Sequence, residues 1–519
     1  MVNRGPTLSP HHLSLAALCV TALVLATYAG ILDNQIVGEP LSDVIEPHGL
    51  WPAAAGAFRP LTSLTFAFNR LTTAPVWFHA TNLLLHIAVA LVILLLCSRV
   101  LGDPVGPGPM SAALTFGVLP VGVDAVVWSA GRSDVLSTFL SVVSVLAHAR
   151  GRRTGRIVAV VAFGLALLSK ESALCVLPIL LAHDLLFRGR PSRSWAGSYA
   201  GLLAVLVAYL STQIAVASPP TVPGGIEALR ALLFGAASYL PRIVIPHGLQ
   251  AFEAYVPLSL GWSSAVLLGM IAVTVALLAL VRFGTGTRAK VAAFGWFWCL
   301  FGLAPITLVA PQVGEVGDRF AYFPAVGLAL AVAGGLDAVF LWLQARARAR
   351  HVWLALAGAM GLSWSMLGIV SARRTRDWRS ERSLFEAELQ TQPDNPIAHR
   401  AMALIEQRAG RYEAALAHVE QSKTLAPESW ATNPSTWINL ARSYVHIERW
   451  ADALAAADTA LRLEPDNVNA LFLRALSAAK LGRSSEAQSD VRRLLELDEQ
   501  HEGAVELLRF WGESGSNQR

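Results

Sequence analysis

Five short stretches of this chain put ionisable residues at the ends of apolar runs, where a charge can sit at the rim of hydrocarbon without entering it. Asp33 closes the first apolar run, with Asn34 beside it and Glu39 and Asp43 further along the same loop. Arg59 opens RPLTSLTFAFNRLT, and LPVGVDAVVWSAGRSDVLS carries Asp124 at the start of a run with Arg132 and Asp134 deeper in it. SKES supplies Lys170 and Glu171, and GDRFAYFP supplies Arg319 and Tyr322 one helical turn apart. Cations at such a rim can hold a phosphate leaving group, and a carboxylate there can take the proton of an attacking hydroxyl. That combination suits group transfer from an anionic lipid carrier. Asp33 and Asp124 are the candidate catalytic carboxylates, and Arg59, Arg132, Asp134, Lys170, Glu171, Arg319 and Tyr322 the candidate substrate-binding residues. The plain structural alternatives are ion pairs, Arg132 with Asp134 and Lys170 with Glu171.

Positioning these residues requires a membrane bundle. The chain has 519 residues, 54% hydrophobic and only 15% charged, an average that hides an apolar part before about Ser371 and ordinary soluble helix after it. About eleven apolar segments, at 12–32, 76–100, 110–122, 125–149, 157–169, 172–187, 195–217, 262–282, 291–310, 320–344 and 352–371, read as spanning helices. With the N-terminus inside, Arg99, Arg150–Arg156, Arg188–Arg193, Arg282–Lys290 and Arg346–Arg350 all fall in cytoplasmic loops, so every inside loop is basic. The candidate residues and the C-terminal tail then lie outside. Two outside stretches, 58–73 and 226–245, have the spacing of helices lying in the interface. The net charge of +5 reflects these loop arginines rather than a basic face, which argues against nucleic acid. Cys19, Cys97, Cys175 and Cys299 show no CxxC spacing, and there is no Walker-type loop, HExxH or serine elbow.

The tail has a 34-residue register. Trp437, Leu440, Ala441, Tyr444, Ala453, Ala457, Ala460 and Pro465 fall on the tetratricopeptide pattern. His399, Met402, Ala403, Gly410, Ala415 and Pro427 fit one unit earlier, with about four extra residues near 429–434, and Leu471, Ala475, Ala478 and Ala487 continue it. The domains are therefore 1–372 in the membrane, a junction at 373–392, and a repeat domain of about three units at 393–519.

LDNQIV, RPLTSLTFAFNRL, WFHATNLLLHIAVAL, VDAVVWSAGRSDVLS, LLSKES, GDRFAYFPAVGL and TRDWRSERSLFEAELQTQPDNPIAH occur here in this order. The set resembles the transmembrane and tetratricopeptide-repeat protein O-mannosyltransferases and their bacterial relatives. The resemblance implies an all-α, polytopic C-type glycosyltransferase-like bundle followed by an α-solenoid, a polyprenyl-phosphate sugar donor, and an acceptor presented through the repeats. The family's acidic pair falls on Asp33 and Asn34, keeping one carboxylate, and Asp33 becomes the acceptor-activating base. Where the family reads His-Pro-Val-His, Leu119 and Gly122 replace both histidines, Pro120 stays, and Asp124 holds the acidic position. By the same resemblance Lys170 and Arg319 contact lipid phosphate, and Arg59 with Asp124 shapes the sugar site. His79 and His86 match the family too, and their own spacing reads as helix packing.

The leading expectation is an integral-membrane glycosyltransferase moving a mannose-like sugar from a polyprenyl-phosphate carrier to a hydroxyl on a protein or glycan at the non-cytoplasmic face. The alternative is a catalytically decayed, membrane-anchored tetratricopeptide scaffold for protein partners. The expected partners are the lipid carrier and a protein or peptide acceptor, with no nucleic acid. Acidic residues could hold a divalent cation, but no ligand set has the spacing to name one. High Ala and Arg usage suggests a bacterial inner membrane with the repeats outside the cytoplasm.

Overall fold

The structure is a computed structural model that describes residues 10–37, 58–69, 71, 74–103, 106–189, 193–216, 225–254, 260–284, 286–313, 315–344 and 350–516. Glu39, Asp43 and Arg70 lie outside the described residues. The chain divides into two compact units, Met1–Ser383 and Leu384–Arg519.

In the first unit every one of the eleven apolar segments is helical. Five helices among the described residues are long and apolar enough to cross a membrane: His11–Asp33, Pro75–Leu101, Gly261–Phe283, Asp318–Leu343 and Leu354–Asp377. A sixth crossing results if Pro107–Val118 and Pro120–Val127, bent by 51° at Leu119, count as one. Arg193–Val216 and Thr287–Val313 are also long continuous helices, and the remaining segments are shorter or broken. The expected run at 125–149 is interrupted by a turn after Val127 and resumes as Arg132–Ala149, and the run at 172–187 is a 3-10 turn, a short α-helix and a π-turn. Breaks of this kind expose backbone polar groups that hydrocarbon cannot satisfy, so they must be answered from within the protein. At the bend, Ser371 Oγ donates to Val118 O at 2.8 Å.

Helix Pro75–Leu101 packs against Pro107–Val118 and Arg132–Ala149, and Thr287–Val313 lies along Tyr322–Gln344. Their shared interior holds Phe78, Ile93, Phe116, Val142, Phe163, Phe294 and Trp298. Helix Gly261–Phe283, in contrast, buries none of its apolar window, with Leu268, Val275, Leu280 and Phe283 all exposed. A helix apolar on every face and buried on none has a lipid solvent. The stretches expected at the interface form helices Pro60–Asn69 and Gly225–Val244.

The only strands among the described residues are Glu253–Ala254 and Glu315–Val316, an antiparallel pair with Glu253 opposite Val316 and Ala254 opposite Glu315. This small ribbon matters because it delivers Asp318 and Arg319 beside Gln250–Phe252: Asp318 N donates to Gln250 O at 3.0 Å. A Cβ at Gly317 would meet Ala251 O at 2.3 Å, so the approach requires glycine there.

In the second unit three helix pairs stack: Pro396–Arg408 with Tyr412–Leu425, Pro434–His446 with Trp450–Leu463, and Val468–Lys480 with Ser484–Leu497, followed by Glu502–Ser516. Ala441, Ala457, Ala460, Leu471, Ala475, Val491 and Leu494 form its core. The first helix of each pair starts on an asparagine whose side chain accepts backbone N–H groups: Asn395 from Ile397 and Ala398, Asn433 from Ser435, Asn467 from Ala470. The intervals of 38 and 34 residues locate the expected four-residue excess, which the short helix Pro427–Thr432 absorbs. The turn inside each pair needs positive φ, supplied by Gly410 (73°), Glu448 (60°) and Gly482 (78°).

Candidate functional site

The candidate residues gather where Asp33, the start of Arg132–Ala149, the end of Arg153–Leu167, and the ends of the strand ribbon and of helix Arg350–Asp377 meet. Asp33 ends the 3-10 turn Ala29–Asp33 and is exposed, with no hydrogen bond or ion pair among the described residues. The loop behind it is stitched to the last helix of the unit. Asn34 Nδ2 donates to Thr375 O at 3.0 Å and Gln35 N to Arg379 O at 3.1 Å, while His79 Nε2 meets Asn34 O at 3.2 Å.

Asp124 is buried and fully engaged. Arg374 grips it with Nε to Oδ1 at 3.1 Å and Nη2 to Oδ2 at 3.0 Å, and Trp378 Nε1 donates to Oδ1 at 3.2 Å. The same Nη2 reaches Asp318 Oδ2 at 3.0 Å, and Nη1 donates to Leu249 O at 2.9 Å. Arg242 continues the chain of charges, 3.6 Å from Asp318 Oδ1 and 2.7 Å from Glu253 Oε2. A carboxylate held this way is an acceptor with its lone pairs occupied, suited to fixing geometry more than to collecting a proton.

The neighbouring turn crosses its ion pairs. Lys170 Nζ donates to Asp134 Oδ1 at 2.6 Å, and Arg59 makes a two-pronged contact to Glu171, Nη2 to Oε1 at 2.7 Å and Nε to Oε2 at 3.1 Å. The two pairings expected from sequence, Arg132 with Asp134 and Lys170 with Glu171, are therefore both replaced. Side chains two apart on a helix point in nearly opposite directions, which separates Arg132 from Asp134, and the extended backbone of Lys170 ahead of the turn Glu171–Cys175 sends its side chain to Asp134 instead of Glu171. Burial works to raise the Glu171 carboxyl, but Arg59 and then Lys170 hold it down at about 2. Burial pulls the Lys170 ammonium below its ordinary value, with Asp134 opposing.

Arg132 has no carboxylate at all. It is fully buried, donating through Nε to Asn82 Oδ1 at 2.9 Å, Nη1 to Thr65 O at 3.2 Å and Nη2 to Phe78 O at 3.0 Å, with Phe66 4.4 Å from the guanidinium carbon. Its place is structural, fastening the interfacial helix Pro60–Asn69 to Pro75–Leu101. Tyr322 is likewise buried, its hydroxyl 2.7 Å from His86 Nδ1, and His86 Nε2 faces Gly117 O at 3.1 Å. Both residues entered as substrate contacts and occupy core positions.

Arg319 differs from all of these. It forms no ion pair among the described residues. Nη1 donates to Ala251 O at 3.2 Å, and the guanidinium carbon sits 4.6 Å from Trp128, 4.6 Å from Phe320 and 5.5 Å from Phe252. Phe320 also lies 5.1 Å from Lys170 Nζ, so one ring spans the two cations. The indole N–H of Trp128 is buried with no hydrogen-bond partner among the described residues. Trp128, Phe252 and Trp378 continue as an aromatic wall, at centroid distances of 5.8 and 6.3 Å. Of the residues singled out from sequence, Asp33 and Arg319 thus form no ion pair among the described residues and Arg132 meets neutral acceptors alone, beside paired charges that hold the turns.

Sequence reasoning missed Arg374, Trp378, Asp318, Arg242 and Trp128. The signal for three of them was available: Trp378, Asp318 and Trp128 stand in TRDWR, GDRF and VDAVVWSAGRSDVLS, all already singled out, and Arg374 stands one residue before TRDWR. A second cluster lies elsewhere. His148, His183 and Asp184 offer three ligand atoms within 4.8 Å of one another, all buried. Arg188 occupies the cation position there, 3.2 Å from Asp184 Oδ1 and 3.2 Å from His148 Nε2, and Tyr199 donates to Asp184 Oδ2 at 3.3 Å.

Comparison with known proteins bears on this geometry. A tetratricopeptide-repeat family profile matches residues 438–502. The protein O-mannosyl-transferase Tmtc3 of Drosophila melanogaster is 24% identical over 570 residues, covering 89% of this chain and 60% of that protein. The protein O-mannosyl-transferase TMTC1 of Homo sapiens is 24% identical over 459 residues, covering 77% of this chain and 50% of that protein. Both relatives bear the name protein O-mannosyl-transferase. The family resemblance read from the motifs and the all-α, bundle-plus-repeat architecture both hold. The chain spans 50–60% of the length of these two relatives. A solved structure of the APC/C hetero-tetramer Cut9–Hcn1 aligns over 88% of this chain and 90% of that one at 13% identity with a TM-score of 0.25.

Proposed function

We propose that this chain transfers a mannose-like sugar from a polyprenyl-phosphate carrier to a hydroxyl on a protein, with its site at the non-cytoplasmic face of a bacterial inner membrane. The observation that carries the reading is the pair of uncompensated charges: exposed Asp33 on a loop tied to Thr375 and Arg379, and Arg319 on its aromatic wall. A half-buried guanidinium normally finds a counter-ion, so Arg319 left without one is suited to an anionic substrate group, and exposed Asp33 is open to an acceptor hydroxyl.

In the proposed step Asp33 takes the proton of the acceptor hydroxyl as its oxygen attacks the anomeric carbon. The bond from that carbon to the phosphate oxygen breaks, the polyprenyl phosphate leaves with the electron pair, and the anomeric configuration inverts. Arg319, with the Trp128 N–H and the Lys170–Asp134 pair behind Phe320, faces the charge developing on phosphate. Arg59 and Glu171 hold the neighbouring turn, and Asp124 shapes the sugar side. The repeats belong to an architecture whose concave surface binds partners, which supports a protein or peptide acceptor.

The test is release of sugar from radiolabelled polyprenyl-phosphate mannose by the full chain in lipid nanodiscs, wild type against Asp33→Asn, with a mixed peptide acceptor pool. Turnover lost in the variant supports the reading. The second reading, a membrane-anchored scaffold with a decayed transferase, is favoured by buried Leu119 and Gly122 at the positions where the motif resemblance implies histidine. A wild type inert with several lipid-linked sugars, yet binding peptides, would establish it.

A further inference from the structure

Three loops that carry the proposed site converge on the last turn of helix Arg350–Asp377 and the residues just past it. The Asp33 loop arrives through Asn34 Nδ2 to Thr375 O at 3.0 Å and Gln35 N to Arg379 O at 3.1 Å. The turn at Val123–Val127 arrives through Asp124, and the ribbon loop through Asp318 and Leu249. One guanidinium, that of Arg374, reaches acceptors on the last two of these segments, and Trp378 Nε1 adds a fifth hydrogen bond to the set at 3.2 Å. Asp124 and Asp318 are both buried, so without that guanidinium two like charges would face each other across a dry gap.

We propose that Arg374 and Trp378 are positioning residues of the transfer site: they act through Asp124, and the end of helix Arg350–Asp377 is a clasp that sets the three loops against one another. Neither residue is required to touch substrate. The planar fork of arginine is what the geometry needs, since Nε and Nη2 grip the two oxygens of Asp124 while Nη1 and Nη2 turn outward to Leu249 and Asp318. A lysine supplies the charge but one point of attachment. The kinetic part of this proposal rests on the transferase reading, and the structural part rests on the geometry alone.

The experiment uses the full chain in nanodiscs, comparing wild type, Arg374→Lys, Trp378→Phe, Asp124→Asn and the double variant Asp124→Asn with Arg374→Lys. Backbone hydrogen exchange is read first. A clasp gives exchange raised about tenfold or more in Arg374→Lys at all three of 34–37, 249–252 and 318–320, with the helix interiors 83–97 and 291–303 of the same unit unchanged as the measure of a folded first unit. Exchange unchanged at these segments, or raised at one alone, overturns the clasp whatever the activity. Mannose transfer from polyprenyl-phosphate mannose is read second. Arg374→Lys is expected to lower kcat about tenfold to a hundredfold with the donor KM within about twofold, because a displaced group costs rate more than binding. Trp378→Phe keeps the ring, loses the N–H, and takes a smaller loss of the same kind. If Arg374 acts through Asp124, the double variant is no slower than Asp124→Asn alone within about twofold. Multiplied losses in the double variant overturn the positioning role and leave a general structural one. A wild type that releases no sugar sinks the transferase reading, and the exchange result then decides the clasp by itself.

Discussion

In the repeat unit Asn395, Asn433 and Asn467 do the same task at the same register, each capping a helix within three residues of itself. In the membrane unit no buried ion pair repeats another: Lys170 reaches back 36 positions to Asp134, and Arg374 reaches back 250 to Asp124. The repeat unit distributes its polar satisfaction locally and identically, so losing one cap leaves the next intact. The membrane unit concentrates it in a few long-range contacts among turns, where each partner is irreplaceable. That difference separates an array that tolerates variation from a site that must be assembled as a whole.

Single substitutions in each unit put this contrast to the test. The largest effect is expected at Asp33→Asn, where general-base loss should cut transfer about 10²–10⁴-fold with no change in unfolding midpoint. Activity retained within tenfold would remove Asp33 from the chemistry. Next, Arg132→Met leaves Asn82 Oδ1, Thr65 O and Phe78 O unanswered in a dry interior, and should cost about 3 kcal/mol or more in detergent unfolding. A loss below about 1 kcal/mol would show that those acceptors find other partners.

How much of this was legible in the sequence follows the same divide. The repeat register, its four-residue excess and the positions of its turns could be read off because each is set by residues a few places apart. The apolar segments could be read for the same reason, since a helix is a local object. Pairing was another matter. Arg132 and Asp134 stand two apart and look like partners, but the helix turns them away from each other, and what each meets comes from elsewhere in the chain. Asp318 stood inside a quoted motif and Arg374 one residue before another, and both went unremarked because what gives them significance is each other and Asp124, with Asp318 and Asp124 lying 56 and 250 positions before Arg374.

Smaller effects test the local unit. Asn467→Ala removes a cap from a single repeat and should cost about 1 kcal/mol in thermal unfolding. A cost several times larger would mean the array melts as one body. Glu448→Gly runs the other way. Glu448 is the one non-glycine with positive φ among the described residues, at the place where Gly410 and Gly482 stand, so glycine should stabilise the unit by about 0.5–1 kcal/mol. Destabilisation would show that the Glu448 side chain contributes more than its backbone costs. The smallest effect is a pH response of the first unit. Glu171 lies at about 2, below its ordinary 4.5, so its contribution is complete above about 4.5 and is lost as pH falls toward 2. Glu171→Gln should flatten that acid limb, and a limb unchanged in the variant would assign it to other carboxylates.

Arg132 has one more consequence, which concerns how the chain is made. All three groups that accept its hydrogen bonds, at Thr65, Phe78 and Asn82, precede it in the chain. Synthesis runs from the N-terminus, so the receptor for this cation is already in the bilayer when the segment carrying it emerges. A guanidinium at that depth is costly while uncovered. Chain order here keeps the interval of exposure short, and moving residues 58–82 behind residue 149 in a rearranged chain would lengthen it without altering a single contact of the finished fold.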